Sequence, residues 1–215
     1  MKAIKKKFII NSLRLRTRIV HNLLDCIPEK KRILDIGCGT GDIISSIALK
    51  YCASVVGIDN AKKMIDICRR TQEKPNLTFE VGNIFELPFA DHTFDVVLSI
   101  SLIEWIDDYE KAIDEVARVV KHGGIWIVSI PNWQSPFRKL QKILSRFQNN
   151  SYLHFQKNKL TNNELEVLAT SKGFIINETI FHILPFFPII IKNQILKHWG
   201  MMCMLSFSMK NEDIK

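Results

Sequence analysis

Three glycines, Gly37, Gly39 and Gly41, stand at alternate positions in the stretch ILDIGCGTGD, residues 33–42. Missing side chains let a backbone approach a ligand closely, and a helix N-terminus just beyond favours negative charge. Asp35 precedes the first glycine by two residues, and Asp59 follows it by 22. At that second distance an acid can accept both hydroxyls of a ribose. Asn83 comes just after a further apolar run, where an adenine could lie. The set reads as a nucleotide-type cradle. The glycines alone would fit a tight turn with nothing bound, and their spacing is GxGxG rather than the GxGxxG of a dinucleotide site.

Such a loop works only if regular elements hold it. RILDI (32–36) and SVVGI (54–58) are short β-branched runs, and GDIISSIALKYC between them has helical spacing at Ile43, Ile44, Ile47 and Ala48. That is a βαβ unit. AKKMIDICRRT (61–71) predicts the next helix, LTFEV (77–81) the third strand and TFDVVLSI (93–100) the fourth. The nearly continuous apolar run of the fourth suits a strand buried on both faces. DYEKAIDEVARVVK (108–121) predicts an amphipathic helix ended by His122-Gly123-Gly124, and IWIVSI (125–130) a fifth strand. TNNELEVLATSKGF (161–174) carries a capping box at Thr161 and Glu164 and closes on Gly173. FIINETIFHI (174–183) and MMCMLSFSM (201–209) read as the last strands. Alternating strands and helices predict an open parallel sheet with helices on both faces.

Composition narrows the class. At 215 residues with 47% hydrophobic and 24% charged, one soluble domain is expected. The five cysteines, Cys26, Cys38, Cys52, Cys68 and Cys203, are odd in number and contain no CxxC pair. Free thiols in a reducing cytoplasm are therefore expected, with no disulfide scaffold and no metal site. The apolar run FII near the N-terminus is too short for a signal peptide. Residues 1–32 hold ten Lys/Arg against Asp25 and Glu29, which accounts for the whole net charge of +8. A second basic stretch, without any acid, lies between Glu115 and Glu164. These read as a solvated face or as attraction to an anionic partner. Nucleic acid is disfavoured, since no aromatics interleave the basic residues in a base-stacking pattern.

The motifs ILDIGCGTGD, VVGIDNAKKMI, GNIFELPFADHTFDVVLS and VARVVKHGGIWIVSIPN, in that order over residues 33–132, resemble a class I S-adenosylmethionine-dependent methyltransferase. The resemblance implies a Rossmann-like, doubly wound α/β sheet of seven strands, mostly parallel with the last antiparallel. It implies S-adenosylmethionine as cofactor and S-adenosylhomocysteine as product. Asp35, Gly37 and Gly39 would line the methionine half, with Cys38 and Gly41 in the same loop. Asp59 would bind the ribose hydroxyls beside Asn60, and Met64 would pack on the adenine unless it is plain core. Asn83 would meet the adenine amino group, Ile84 would offer its backbone N–H, and Ile100 would touch the methionine portion. NSLRLRTRI is similar to an N-terminal NPLR motif of the quinone-pathway O-methyltransferases (the methyltransferase type 11 group), whose Arg contacts the cofactor carboxylate. Arg14 is the match, and a solvent-facing arginine is the equal alternative.

Relatives of that group commonly carry a His after the fourth strand, where this chain has Glu104-Trp105. Glu104 is the candidate base, or else a cap of the following helix or a ligand of a cofactor-side water, and Trp105 a candidate wall of the acceptor pocket or plain packing. His154 and His182 are secondary candidates. The acceptor is expected to be small, apolar or lipid-like, its methylated atom undefined. Three segments are expected to serve it: a basic helical lid at 1–31 and insertions at 133–160 and 183–200. The apolar stretch 180–205 reads as lid, interface, interfacial anchor or core strands. Its prolines and lysines argue against a spanning helix. Peripheral membrane contact is the reading of the basic N-terminus that has Phe8, Ile9, Ile10, Leu13 and Leu15 facing lipid. A non-catalytic cofactor-binding or scaffold protein is the alternative function, and a nicotinamide-dependent oxidoreductase the other.

Overall fold

The computed structural model describes residues 2–25, 31–51, 54–72, 74–145, 155–183, 189–191 and 199–211. In chain order come α1 (Lys2–Leu24), β1 (Arg32–Ile36), α2 (Asp42–Tyr51), β2 (Ser54–Asp59), α3 (Lys62–Thr71), β3 (Leu77–Val81) and β4 (Phe94–Ile100). A single 3-10 turn (Ile103–Trp105) leads to α4 (Tyr109–Val119), β5 (Val120–Pro131), α5 (Pro136–Ser145), α6 (Asn162–Ser171), β6 (Phe174–Ile183), β7 (Ile189–Ile191) and β8 (Met202–Met209).

The strands form one sheet in the order β3-β2-β1-β4-β5-β8-β6-β7. The neighbours from β3 to β5 pair in parallel, and β8 inserts antiparallel between β5 and β6. The expected mostly parallel sheet with its last strand antiparallel is thus present. The addition is β7, a three-residue edge strand antiparallel to β6. The central strands feed both cores because successive side chains alternate faces. Leu34, Ile36, Val97, Trp126 and Val128 face the layer under α4 and α6. Ile33, Val96, Leu98 and Ile127 face the layer shared with α1, α2 and α3.

Three expectations change here. The 123–124 glycine pair does not end α4. The helix stops at Val119, Val120 is already extended, and the glycines lie inside β5, where its register with β4 shifts between Phe94 and Val96. Gly123 has φ +69°, and a Cβ on Gly124 would lie 2.7 Å from the Lys121 carbonyl oxygen, so both positions serve a bulge. The C-terminal half of α1 is core rather than lid: Leu15, Ile19, Val20 and Leu24 are buried against α2 and the sheet. The side chains of Phe8, Ile9 and Ile10 lie outside the described residues. Of 180–205, the ends are sheet (β6, β7 and β8), and residues 184–188 and 192–198 lie outside the described residues, as do Cys26, Cys52 and His154. The capping box on α6 is present in both halves, from the Glu164 amide to Thr161 and from the Thr161 amide to Glu164.

Candidate functional site

Parallel strands end together, so the loops after β1, β2, β3 and β4 share one edge. Asp35 is level with Gly57 on β2 and Leu98 on β4, and Asp59 is level with Val81 on β3. This register gathers Asp35, the glycine loop, Asp59 and Ile100, with Asn83 two residues beyond β3.

The glycines do different work from one another. All three have positive φ: 73° at Gly37, 54° at Gly39 and 73° at Gly41. A Cβ on Gly37 would strike Leu102 at 2.9 Å and one on Gly41 the Phe79 ring at 2.8 Å, so those two are bare for packing. A Cβ on Gly39 would meet nothing within 4 Å. Gly39 therefore faces open space. The loop's N–H groups are largely committed. Gly37 and Cys38 both donate to the Ile58 carbonyl, at 2.8 and 3.0 Å, and Gly41 donates to Cys38. The picture of a cradle of free N–H groups gives way to a loop pinned to β2, with open space beside Gly39.

Asp59 spans the mouth. Its Oδ2 accepts from the Gly39 amide at 3.0 Å and its Oδ1 from the Ala61 amide at 2.8 Å. Each oxygen retains a second lone pair. Asp35 is 4% exposed and has no ion-pair partner among the described residues. Burial, and then Asp59, push its carboxyl up to about 8. Burial, then Asp35, pushes the Cys38 thiol up as well, so it is no nucleophile. Met64 is exposed on α3 and is not core. Asn60 is exposed, Ile84 is buried, and Asn83 is exposed with Oδ1 accepting from the Phe85 amide at 3.1 Å.

Beyond β4 the chain becomes unusual. Ser101 has φ 56°, a left-handed conformation that costs a non-glycine residue energy and tends to mark functional turns. Its amide donates to Ser129 Oγ at 2.8 Å, and its own Oγ accepts from Arg16 Nη1 at 2.8 Å. Arg14 is exposed, so the arginine that reaches this edge is Arg16, two positions along α1. Glu104 is 4% exposed on the 3-10 turn, with Oε2 lacking any hydrogen-bond partner. Burial pushes its carboxyl up to about 7, against the pull of its own backbone amide, Arg138 and Arg16. Trp105 beside it is half-exposed.

Three more buried polar groups lie at this edge without hydrogen-bond partners among the described residues. Trp133 Nε1 lies past the end of β5, Gln156 Oε1 beside the segment whose Lys157 amide meets the Glu104 carbonyl, and both His182 ring nitrogens near the end of β6. Burial and then Arg16 push His182 down to about 4, which keeps the ring neutral at physiological pH. A buried polar atom without a partner costs roughly 1–3 kcal/mol, so a cluster of them marks a place built for something else. Reading by sequence missed Arg16, Ser101, Ser129 and Arg138. For Arg16 a signal existed: the buried positions Ser12, Leu15, Ile19 and Leu24 define a face that passes Arg16 and excludes Arg14.

A family model described as a methyltransferase domain matches residues 34–128. The ajmaline N-methyltransferase of Rauvolfia serpentina is 36% identical over 107 residues, 47% of this chain and 37% of that protein. The fatty-acid O-methyltransferase of Mycolicibacterium smegmatis is 33% identical over 114 residues, 49% of this chain and 42% of its own. The chain thus spans less than half the length of these two relatives. The magnesium protoporphyrin IX methyltransferase of Synechocystis PCC 6803, solved with bound SAH, has the same fold. Its TM-score is 0.74 over 96% of this chain and 87% of its own, at 13% identity.

Proposed function

We propose, from the match of residues 34–128 to a methyltransferase-domain model and the fold shared with a solved methyltransferase, that the chain moves a methyl group from S-adenosylmethionine to an O–H or N–H on a small, apolar or lipid-like acceptor. The observation that carries this reading is Glu104 Oε2, buried and without a partner at the strand edge that also holds the glycine loop.

Two features of the chain suit this cofactor. Gly39 opens on free space, and Asp35 is a buried carboxyl without an ion-pair partner among the described residues. Asp35 with the Gly37–Cys38–Gly39 turn and Ile100 would hold the methionine portion, and Asp59 with Asn60 the ribose. Met64, Asn83 and Ile84 would take the adenine. Arg16 replaces Arg14 as the candidate for the cofactor-side carboxylate. When bound, the cofactor supplies a methyl already activated on a sulfonium. The chain's own work is then orientation, exclusion of water and removal of one proton. Glu104 Oε2 would accept that proton as the acceptor atom forms its bond to carbon. A group titrating near 7 is matched to that role. Neutral His182, Trp133 Nε1–H and Gln156 Oε1 would hydrogen-bond the acceptor. A reducing cytoplasm is part of the same reading.

Calorimetric titration with S-adenosylmethionine, S-adenosylhomocysteine and NAD(H) is the first test. Binding of the first two and not the third is expected; the reverse pattern would sink the reading. Methyl-labelled cofactor incubated with lipid and quinone-like extracts should then label a product with the wild type and far less with Glu104→Gln. Equal labelling by both would remove Glu104 from the chemistry.

A further inference from the structure

Helix α5 is packed inside out. Its buried described residues are polar, Arg138 and Ser145. Arg138 Nη2 donates to the Met201 carbonyl at 3.0 Å, Nη1 donates to Gln141 Oε1 at 3.0 Å, and the guanidinium lies 5.9 Å from the Trp133 ring centroid. Its described large apolar residues point to solvent instead: Phe137 is 41% exposed, Leu140 53% and Ile143 53%. Each helical residue turns about 100°, which puts Leu140 and Ile143 roughly 160° and 140° round from Arg138. The stripe therefore lies nearly opposite the packed side. Trp199, 47% exposed, extends it, with its ring edge-on to Phe137 at 5.7 Å.

A stripe of this size normally marks a contact. Its surroundings say which kind. Exposed Lys139 borders it, exposed Lys142 lies further round toward Arg138, and no acidic residue occurs anywhere between Glu115 and Glu164. An apolar stripe with an aromatic pair and a lysine margin matches the surface of an anionic bilayer. Aromatic rings and aliphatic chains enter the headgroup boundary there, and lysines meet lipid phosphates. No described helix is long and apolar enough to cross a membrane, so the contact is peripheral.

We propose that the exposed face of α5, with Phe137, Leu140, Ile143 and Trp199, docks on an anionic phospholipid surface. Its placement extends the reading above. Arg138, on the reverse of the same helix, faces Glu104 electrostatically. Docking through α5 therefore brings the acceptor side to the lipid boundary, and the acceptor class becomes an amphiphile taken from the membrane. Only that last step rests on the proposed function.

The test is co-flotation of the full chain with vesicles of phosphatidylcholine alone and of phosphatidylcholine with phosphatidylglycerol, across a salt series. Binding to the anionic vesicles, weakened by salt and absent from the neutral ones, is expected. Leu140→Gln with Ile143→Gln should weaken it at least about tenfold, and Lys139→Gln with Lys142→Gln about 30-fold at low salt. Both pairs are exposed, and far-UV circular dichroism and melting should match the wild type. Equal binding to both vesicle types, no vesicle binding, or unchanged binding by both variants would overturn the proposal. So would self-association of the wild type that Leu140→Gln with Ile143→Gln abolishes in sedimentation, which would assign the face to a second copy. Cofactor calorimetry on the same samples separates the two readings: lost cofactor binding with intact flotation condemns the enzyme reading alone, and the converse condemns only the docking face.

Discussion

Cofactor binding should release a proton, and Asp35 should be its source. The carboxyl is buried, and in the ligand-free chain burial and Asp59 hold its pKa at about 8. At pH 7 such a group is about 0.9 protonated. A ligand bringing a sulfonium and an ammonium beside it favours the ionised form and lowers its pKa. If the bound value falls to the ordinary carboxylate range, about 0.9 of a proton leaves per cofactor bound at pH 7. The sign follows directly: the bound state holds fewer protons, so affinity rises with pH. It should climb about tenfold per unit between pH 5 and 7, then flatten above 8. Calorimetry in two buffers of different ionisation enthalpy reads the proton count, since the observed heat shifts by that count times the buffer difference. Asp35→Asn mimics the protonated side chain. Its affinity should be flat with pH, match the wild type only below about pH 4, and fall behind as pH rises. Glu104→Gln, carrying the other raised carboxyl, should leave the release in place. Buffer-independent heats for the wild type, or the same release from Asp35→Asn, would refute the reasoning.

Other outcomes follow from single contacts. Methyl transfer should rise with pH through about 7 as Glu104 ionises, and Glu104→Gln should lower kcat by roughly 10²–10⁴ with cofactor affinity unchanged; a flat pH–rate profile would remove the base. Arg16→Met deletes a cation that favours the ionised Glu104, so the rising limb should move to higher pH, whereas Arg14→Met should leave it alone. Gly41→Ala meets the Phe79 ring at 2.8 Å as well as an unfavourable φ, and Gly39→Ala meets the φ alone. Melting should therefore show the larger loss for Gly41→Ala, and calorimetry should still find cofactor binding weakened by Gly39→Ala. Thr161→Ala removes the acceptor for the Glu164 amide at the start of α6 and should cost about 1 kcal/mol in denaturant melts.

What could be read from the sequence was what the chain encodes locally. β1 to β4 and β6 are period-2 or fully apolar runs between turn residues. The box on α6 is a four-residue signal, and Gly173 with φ 93° ends that helix as glycine does. The same rule failed at 123–124, because a glycine pair serves a bulge as readily as a cap, and only the pairing with β4 decides between them. The cofactor half of the edge was legible for the same local reason: its acids and glycines follow directly after strands. The acceptor half was not. Ser101, Arg16, Ser129 and His182 meet across 85 to 166 positions of chain, measured from Arg16 to Ser101 and to His182.

Helix α5 shows most plainly why pattern reading stops there. Periodicity assumes that the apolar stripe turns inward, and in PFRKLQKILS that stripe is Phe137, Leu140 and Ile143. The structure turns it outward because the interior it would face is not apolar. Glu104 is buried there with one oxygen unpartnered, and an ionised carboxylate without a nearby cation is far costlier to bury than a paired one. Placing Arg138 on the inner side supplies a cation, and the Met201 carbonyl and Gln141 Oε1 each accept one of its N–H groups. Exposing three apolar side chains forfeits roughly 1.5–3 kcal/mol each at most, a loss that a lipid surface would recover. The inward side of α5 thus carries a cation that favours the ionised Glu104, and its apolar face is left outside.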